Sequence, residues 1–100
     1  MSYLSKTLND IKIAVVGKGL YIKEGTNATM GTATLSSGTV TVSTTKVTAN
    51  SRIFITVQGG TLTNVGSTYV SARTAGTSFV ISSTNILDSA TVAWVIIEPA

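Results

Sequence analysis

The sequence predicts an all-β domain: a small antiparallel β-sandwich or Greek-key barrel that carries a short N-terminal arm or helix. From Gly31 onward Val, Ile, Thr and aromatic residues dominate, and Gly or Asn/Ser clusters interrupt them at short intervals, as turns interrupt strands. Val40 and Val42 alternate with threonines, which is the two-residue period of a strand with one buried face. At 100 residues the chain is predicted to form one domain.

The chain divides into an N-terminal arm, residues 1–16, and a β-domain, residues 17–100. In the arm Leu4, Leu8 and Ile11 recur at helical spacing, which predicts a short helix. A helix of this length is marginal on its own, so an extended arm that orders on a partner explains the pattern equally well.

Seven short strands are predicted in the β-domain, with two tight hairpin turns at 36–38 and 74–77 and a more open loop at 59–67. The last strand has apolar residues on both faces, so it is predicted to be central in its sheet or part of an interface. The predicted strands are 20–23, 32–35, 39–43, 52–57, 68–73, 78–82 and 91–97.

A weak internal repeat accompanies this pattern. A shift of 39 residues lays residues 40–57 on residues 79–96 without a gap, and most apolar positions of the first segment then fall on apolar positions of the second. The repeat indicates a duplicated unit of strand, polar connection and long strand. Because any two alternating strands match in part, chance similarity is the alternative explanation.

The composition predicts assembly into an oligomer. Only 11% of the residues are charged, and the chain contains neither Cys nor His. Without a disulfide or a structural zinc site, and with a surface poor in charge, a domain of this size is expected to gain stability from other copies or from a larger assembly.

The charge distribution limits the kinds of partner. Four of the seven cationic residues are lysines in the first quarter of the chain, where they predict a solvated basic arm that contacts an acidic neighbour. The basic residues are too sparse to predict binding to nucleic acid. No segment approaches the stretch of about 20 apolar residues that spans a bilayer, so no membrane is predicted as a partner.

No catalytic site is predicted. The absence of His makes a Ser–His pair impossible, and the four acidic residues, Asp10, Glu24, Asp88 and Glu98, are widely scattered in the sequence. No acidic loop has the density that a calcium site requires. The protein is therefore predicted not to be an enzyme and to hold neither a metal nor a cofactor.

Four residues are predicted to form the oligomer interface. Trp94 is the single tryptophan, and it is expected to anchor either the core or a contact between subunits, together with Ile96. Arg52 and Arg73 lie at predicted strand ends, where each would pair with an acidic residue or face a partner subunit.

Four separated blocks of the sequence, together with a segment before them that is similar to the family's entry segment, resemble a small β-domain of tailed-bacteriophage virion proteins. Domains of this kind occur as stand-alone capsid-decoration or head-fibre proteins and at the C-terminal ends of tail fibres. The resemblance implies a non-enzymatic structural module of the virion, commonly a homotrimer, without catalytic residues. The entry segment is 17–25 and the blocks are 30–35, 47–54, 71–79 and 92–100, so the resemblance covers about residues 17–100.

Within this family we predict a capsid decoration (cement) protein that binds the major capsid protein and stabilises the head. A fibre protein usually has a long shaft before its tip, whereas a 16-residue arm precedes this β-domain. The protein would be made in the host cytoplasm and lie on the capsid surface of the virion. Burial of the arm's apolar side chains would contribute about 1.5–3 kcal/mol each. The predicted capsid-binding residues are Leu4, Lys6, Leu8, Ile11 and Lys12.

Two other functions are compatible with the sequence. One is a tail-fibre or spike tip module that recognises the host surface, with Tyr69 and the loop 59–67 in contact with a surface glycan. The other is a host-derived adhesion or carbohydrate-binding domain, which also fits a β-domain without catalytic groups.

Overall fold

A computed structural model of the chain describes residues 13–16, 19–60 and 63–100. None of these residues lies in a helix, so the described part of the chain has no helix that could cross a membrane. The strands are β1 (Ile13–Val16), β2 (Gly19–Ile22), β3 (Met30–Thr34), β4 (Thr39–Ser43), β5 (Arg52–Gly59), β6 (Thr68–Thr74), β7 (Ser78–Ser83) and β8 (Thr91–Ile97).

Strands β3 to β8 form two three-stranded antiparallel sheets. The first sheet has the order β3-β8-β5, and the second has the order β4-β7-β6. The predicted all-β fold is confirmed as a small β-sandwich. The central strand β8 is the one whose apolar residues on both faces predicted a central or interface position.

The two sheets enclose one hydrophobic core. Along β8 the residues alternate between buried and half-buried, and Val92 and Trp94 face inward. Phe79 and Ile81 of β7 face them from the second sheet and are fully buried. This alternation follows from the two-residue period of a strand. The buried core residues are Leu35, Val42, Val47, Phe79, Ile81, Val92, Trp94 and Ile96.

The tightest contact in this core joins Trp94, Phe79 and Gly31. The rings of Phe79 and Trp94 meet edge to face, with centroids 5.2 Å apart and planes at 78°. Gly31 is paired with Trp94 across the sheet, and a Cβ on Gly31 would lie 3.0 Å from Trp94 Cζ2. The indole Nε1 is buried without a hydrogen-bond partner among the described residues, which costs about 1–3 kcal/mol. Packing therefore holds Trp94 in place.

The internal repeat corresponds to a pseudo-two-fold axis through the sandwich. β4 pairs with β7 and β5 with β8, so each strand pairs with its own repeat partner. Thr41 lies opposite Val80, and Ile55 lies opposite Trp94; in both pairs the residue numbers differ by 39.

Hydrogen bonds at the ends of the sandwich obey the same symmetry. Thr44 N donates to Thr77 O at 3.0 Å, and the equivalent Ser83 N donates to Gly38 O at 2.7 Å. The outer strands β3 and β6 break the symmetry, because β3 pairs with β8 whereas β6 pairs with β7. The pairing of the central strands is compatible with the repeat, and duplication stays a prediction.

One predicted hairpin is wrong. The tight turn at 36–38 is present, with Ser37 and Gly38 at φ 53° and 78°. The strands on either side of it, however, belong to different sheets, and only the bridge between Ser36 and Thr39 joins them. Leu35 N bonds to Ala90 O, so the chain stays with β8 up to the turn and then crosses to β7. The hairpin at 74–77 is confirmed, with Thr77 N donating to Thr74 O.

The helix predicted for residues 1–16 does not include 13–16. These four residues form β1, which pairs antiparallel with β2 from Ile13↔Ile22 to Val16↔Gly19. The sequence Ile-Ala-Val-Val is rich in β-branched residues, which favour strands over helices. Residues 1–12 lie outside the described residues, and the division into arm and β-domain stays a prediction.

Replacing Gly31 with Ala is expected to destabilise the fold by about 1–3 kcal/mol, because the new methyl group must displace the Trp94 ring in a packed core. Chemical denaturation followed by tryptophan fluorescence measures the change. Gly59→Ala is the matched control, since no atom would lie within 4 Å of its Cβ. Equal losses for both variants would contradict the packing role of Gly31.

Candidate functional site

Two of the three acidic residues in the described part of the chain, Asp88 and Glu98, have structural roles. Asp88 is fully buried in the connection between β7 and β8. Its Oδ2 accepts hydrogen bonds from Gly66 N at 2.9 Å and Ser83 Oγ at 2.7 Å, and its Oδ1 accepts one from Ala90 N at 2.9 Å. The bonds from Gly66, Ala90 and Ser83 lower the pKa of Asp88 and outweigh the opposing effect of burial. The Asp88 carboxylate therefore holds the connection between β7 and β8 in place through hydrogen bonds.

Glu98 has a similar role at the end of β8. Its carboxylate accepts hydrogen bonds from Ser51 Oγ and from Thr48 Oγ1, and these bonds lower the pKa of Glu98. The charges of Arg52 and Arg73 lower it further. The chain end after β8 is thus tied to the loop between β4 and β5.

The described residues contain no group of three or more His, Cys, Asp or Glu side chains that could hold a metal ion. Of the four acidic residues, Asp88 and Glu98 are committed to the hydrogen bonds above, Asp10 lies outside the described residues, and Glu24 is exposed without a side-chain hydrogen bond among them. The arrangement of the described side chains can bind or pack.

The residues predicted for the oligomer interface have different positions. Trp94 and Ile96 are only 6% and 5% exposed, because their side chains face the core, so they offer little surface to a partner. Arg52 and Arg73 are exposed, and their guanidinium groups donate to Asn50 O at 2.7 Å and to Ser51 O at 2.6 Å. The assignment of an interface to these four residues stays a prediction.

The outer face of the first sheet carries an apolar surface that sequence reasoning missed. We call it the apolar face. Val95 lies in its centre, opposite Met30 on one neighbouring strand and Phe54 on the other. Phe54 is 58% exposed and Ile97 is 53% exposed. The apolar residues on both sides of the strand 91–97 were the available signal. The apolar face consists of Met30, Phe54, Ala93, Val95 and Ile97.

The outer face of the second sheet has a different chemistry. Val80 is the only apolar outward residue of β4 and β7, and the others carry hydroxyl groups. Ser82 Oγ lies 3.4 Å from Thr39 Oγ1 and 2.7 Å from Ser71 Oγ, which links the hydroxyl groups across three strands. Tyr69, which the sequence placed in a glycan contact, stands on this face opposite Ser82 and is half exposed. Part of its predicted partner loop, 61–62, lies outside the described residues.

A concave pocket opens between the turn after β2 and the connection between β4 and β5. We call it the lysine pocket. Its volume is about 340 Å³, which is within the size range of small-molecule sites. Lys23 and Lys46, which are far apart in sequence, both line this pocket. No local sequence motif predicts that they do. Its lining residues are Lys23, Glu24, Gly25, Thr26, Asn27, Ala28 and Lys46.

The capsid-binding residues predicted in the arm are not placed by the structure. Leu4, Lys6, Leu8, Ile11 and Lys12 lie outside the described residues. Their assignment stays a prediction.

Residues 27–97 match the protein family described as the K1 capsule-specific polysaccharide lyase, C-terminal domain. The match covers well over half of the 100-residue chain and contains all six strands of the sandwich. The chain belongs to this family. None of the curated proteins matches the chain.

Membership of the K1 lyase C-terminal domain family fits the resemblance to β-domains of phage virion proteins. The family's description assigns the domain to the C-terminal end of a lyase. The match begins at residue 27, so the β1–β2 hairpin lies outside it, whereas both outer faces of the sandwich and part of the lysine pocket lie within it.

Asp88→Asn is expected to lower the melting temperature at pH 7 by several degrees, because one acceptor oxygen becomes a donor that faces an N–H or O–H group. The folded-state pKa of Asp88 lies below its ordinary value of 3.8, so the unfolded chain takes up the proton first on acidification. The stability that ionised Asp88 contributes is therefore lost as the pH falls from about that value.

The wild type should lose stability on acidification more steeply than Asp88→Asn in melting curves between pH 7 and pH 3. Glu24→Gln is the control, since its side chain makes no hydrogen bond among the described residues. Parallel pH profiles for wild type and Asp88→Asn would contradict the role assigned to this carboxylate.

Proposed function

We propose that the protein is a non-catalytic recognition module of a phage tail spike or tail fibre, and that it acts at the capsular polysaccharide of the host. The observation that carries the proposal is the family match over residues 27–97, whose description names a capsule-specific polysaccharide lyase. A phage particle that must reach a host through its capsule needs domains that hold the polysaccharide as well as enzymes that cut it.

The chemistry of the described residues supports a binding role. A lyase needs a group that removes a proton from the sugar, and two of the three carboxylates in the described part of the chain are engaged in structural hydrogen bonds. The buried acid Asp88 and the terminal acid Glu98 are saturated by hydrogen bonds that keep them ionised and engaged. A rigid sandwich with polar and apolar outer faces suits a module that contacts partners.

This function replaces capsid decoration as the preferred hypothesis. The family's description points to a protein that works on the capsule, which is the task of the tail and not of the head. Attachment to the major capsid protein would depend on Leu4, Leu8 and Ile11, which lie outside the described residues.

The module is further proposed to act as a homotrimer that assembles through the apolar face. A second copy is the occupant that fits, because the face is uncharged apart from Arg52 at one end and a chain with 11% charged residues favours self-association. A standard interface buries about 800 Å² on each partner. That is about an eighth of the 6563 Å² accessible surface of the chain.

Fluorescently labelled protein is expected to stain bacteria that carry a K1 capsule and to leave capsule-free mutants of the same strain unstained. Purified empty capsids serve as the competing target. The folded fraction of the Gly31→Ala variant is measured first. If the variant is partly unfolded, staining that falls with the folded fraction indicates that binding needs the intact sandwich. Binding to capsids without staining of encapsulated cells would overturn the proposal and restore the decoration hypothesis.

Sedimentation equilibrium of the wild type is expected to give a mass three times the 10.3 kDa of one chain. Phe54→Ser should shift the protein to monomer, because it removes the largest side chain of the apolar face, next to the central Val95. Tyr69→Ser, on the outer face of the second sheet, is the matched control and should leave the mass unchanged. A monomeric wild type would contradict the trimer and leave the recognition role intact.

A further inference from the structure

We infer that the lysine pocket is a binding site for the carboxylate of an acidic sugar. The inference rests on the proposed function, since it names the class of saccharide that the recognition module holds. It starts from two cationic side chains, Lys23 and Lys46, which line one concave pocket of about 340 Å³. A pocket of this volume accommodates one sugar ring with part of its neighbour.

The pocket is built in advance of any ligand. Thr44 is 2% exposed, and its hydroxyl group connects the two walls: it donates to Ala28 O at 2.8 Å and accepts from Lys46 N at 3.2 Å. Asn27 adds a second connection, because its Oδ1 accepts a hydrogen bond from Thr45 N at 3.1 Å. The two segments that carry the lysines are therefore fixed to each other by two hydrogen bonds, from Thr44 Oγ1 to Ala28 O and from Thr45 N to Asn27 Oδ1.

The backbone of the turn is also held in an uncommon conformation. Asn27 has φ 55°, and Gly25 has φ 129°, a region that residues with a side chain rarely adopt. Strained residues of this kind persist where surrounding contacts hold them, and they occur often at ligand sites. Here the bond from Thr45 N to Asn27 Oδ1 and the bond from Ala28 N to Gly25 O, 3.2 Å, hold the turn.

The charges of the pocket select an anion. Lys23 and Lys46 contribute two positive charges and Glu24 contributes one negative charge, and no ion pair joins either lysine to Glu24 within the described residues. Lysine ammonium groups present point charges that pair with carboxylates. The threonine, alanine and lysine stems between them offer apolar contact to the faces of a sugar ring. The combination fits a uronic or similar acidic saccharide better than a neutral one.

The test is a titration of the ¹⁵N-labelled full chain with sodium glucuronate, followed by backbone amide shifts. We expect saturable shifts at Thr26, Asn27 and Lys46, and much smaller shifts with glucose, which has the same ring without the carboxylate. Inorganic phosphate is a third ligand. Equal shifts with phosphate would indicate a general anion site and would overturn the assignment to a sugar.

Variants of the pocket give opposite expected effects. Lys23→Gln and Lys46→Gln should each weaken glucuronate binding about two- to fivefold, the range expected of exposed ion pairs. Glu24→Gln should tighten binding, since it removes the only negative charge of the pocket, and misfolding cannot produce a gain. Arg52→Gln removes a positive charge away from the pocket and should leave the affinity unchanged. Equal affinity for glucuronate in all four variants would overturn the site.

The outcome separates this inference from the proposed function. If labelled wild type and the Lys23→Gln/Lys46→Gln double variant stain encapsulated cells equally, the recognition role stands and the lysine pocket is not its site. If glucuronate binds to the pocket but encapsulated cells remain unstained, the acidic-sugar site stands and the proposed function fails.

Discussion

The edge-to-face contact of Trp94 with Phe79 is the interaction on which the rest of the sandwich depends. These two rings come from the central strands of the two sheets, so their packing holds the sheets together at mid-height. Glycine at position 31 leaves room for the indole, because a Cβ there would lie 3.0 Å from Trp94 Cζ2. Since Trp94 Nε1 is unpartnered among the described residues, shape and dispersion must maintain this position without help from a hydrogen bond.

The pseudo-two-fold core leaves the functional differences to the periphery. β4, β5, β7 and β8 repeat one unit, yet the outer faces of the two sheets carry unlike side chains: apolar groups around Val95 and hydroxyl groups around Ser82. A core with this symmetry supplies stiffness, whereas the outer faces and the loops differ from each other and supply contacts. The absence of His from the sequence and the engagement of Asp88 in loop capping are consistent with that division of roles.

The local sequence pattern predicted the positions of most strands well, but it predicted poorly which strands pair with each other. The strands Thr39–Ser43 and Thr91–Ile97 have the predicted bounds, because alternation and flanking turn residues define both. The pairing of β3 with β8 was missed, since a tight turn such as 36–38 predicts a hairpin and the sheet change depends on distant contacts. The lysine pocket could not be predicted either, because Lys23 and Lys46 are distant in sequence and only the fold places both at one pocket.

The claim that the domain recognises the capsule without cutting it is tested most directly by the length of the polysaccharide. Purified K1 capsular polysaccharide is incubated with excess protein, and both are followed by size-exclusion chromatography with light scattering. We expect the protein to elute with the polymer, and the polymer recovered after the protein is removed to have its original mass. A polymer shortened in proportion to protein and time would contradict a non-catalytic role, and protein that elutes apart from the polymer would contradict recognition.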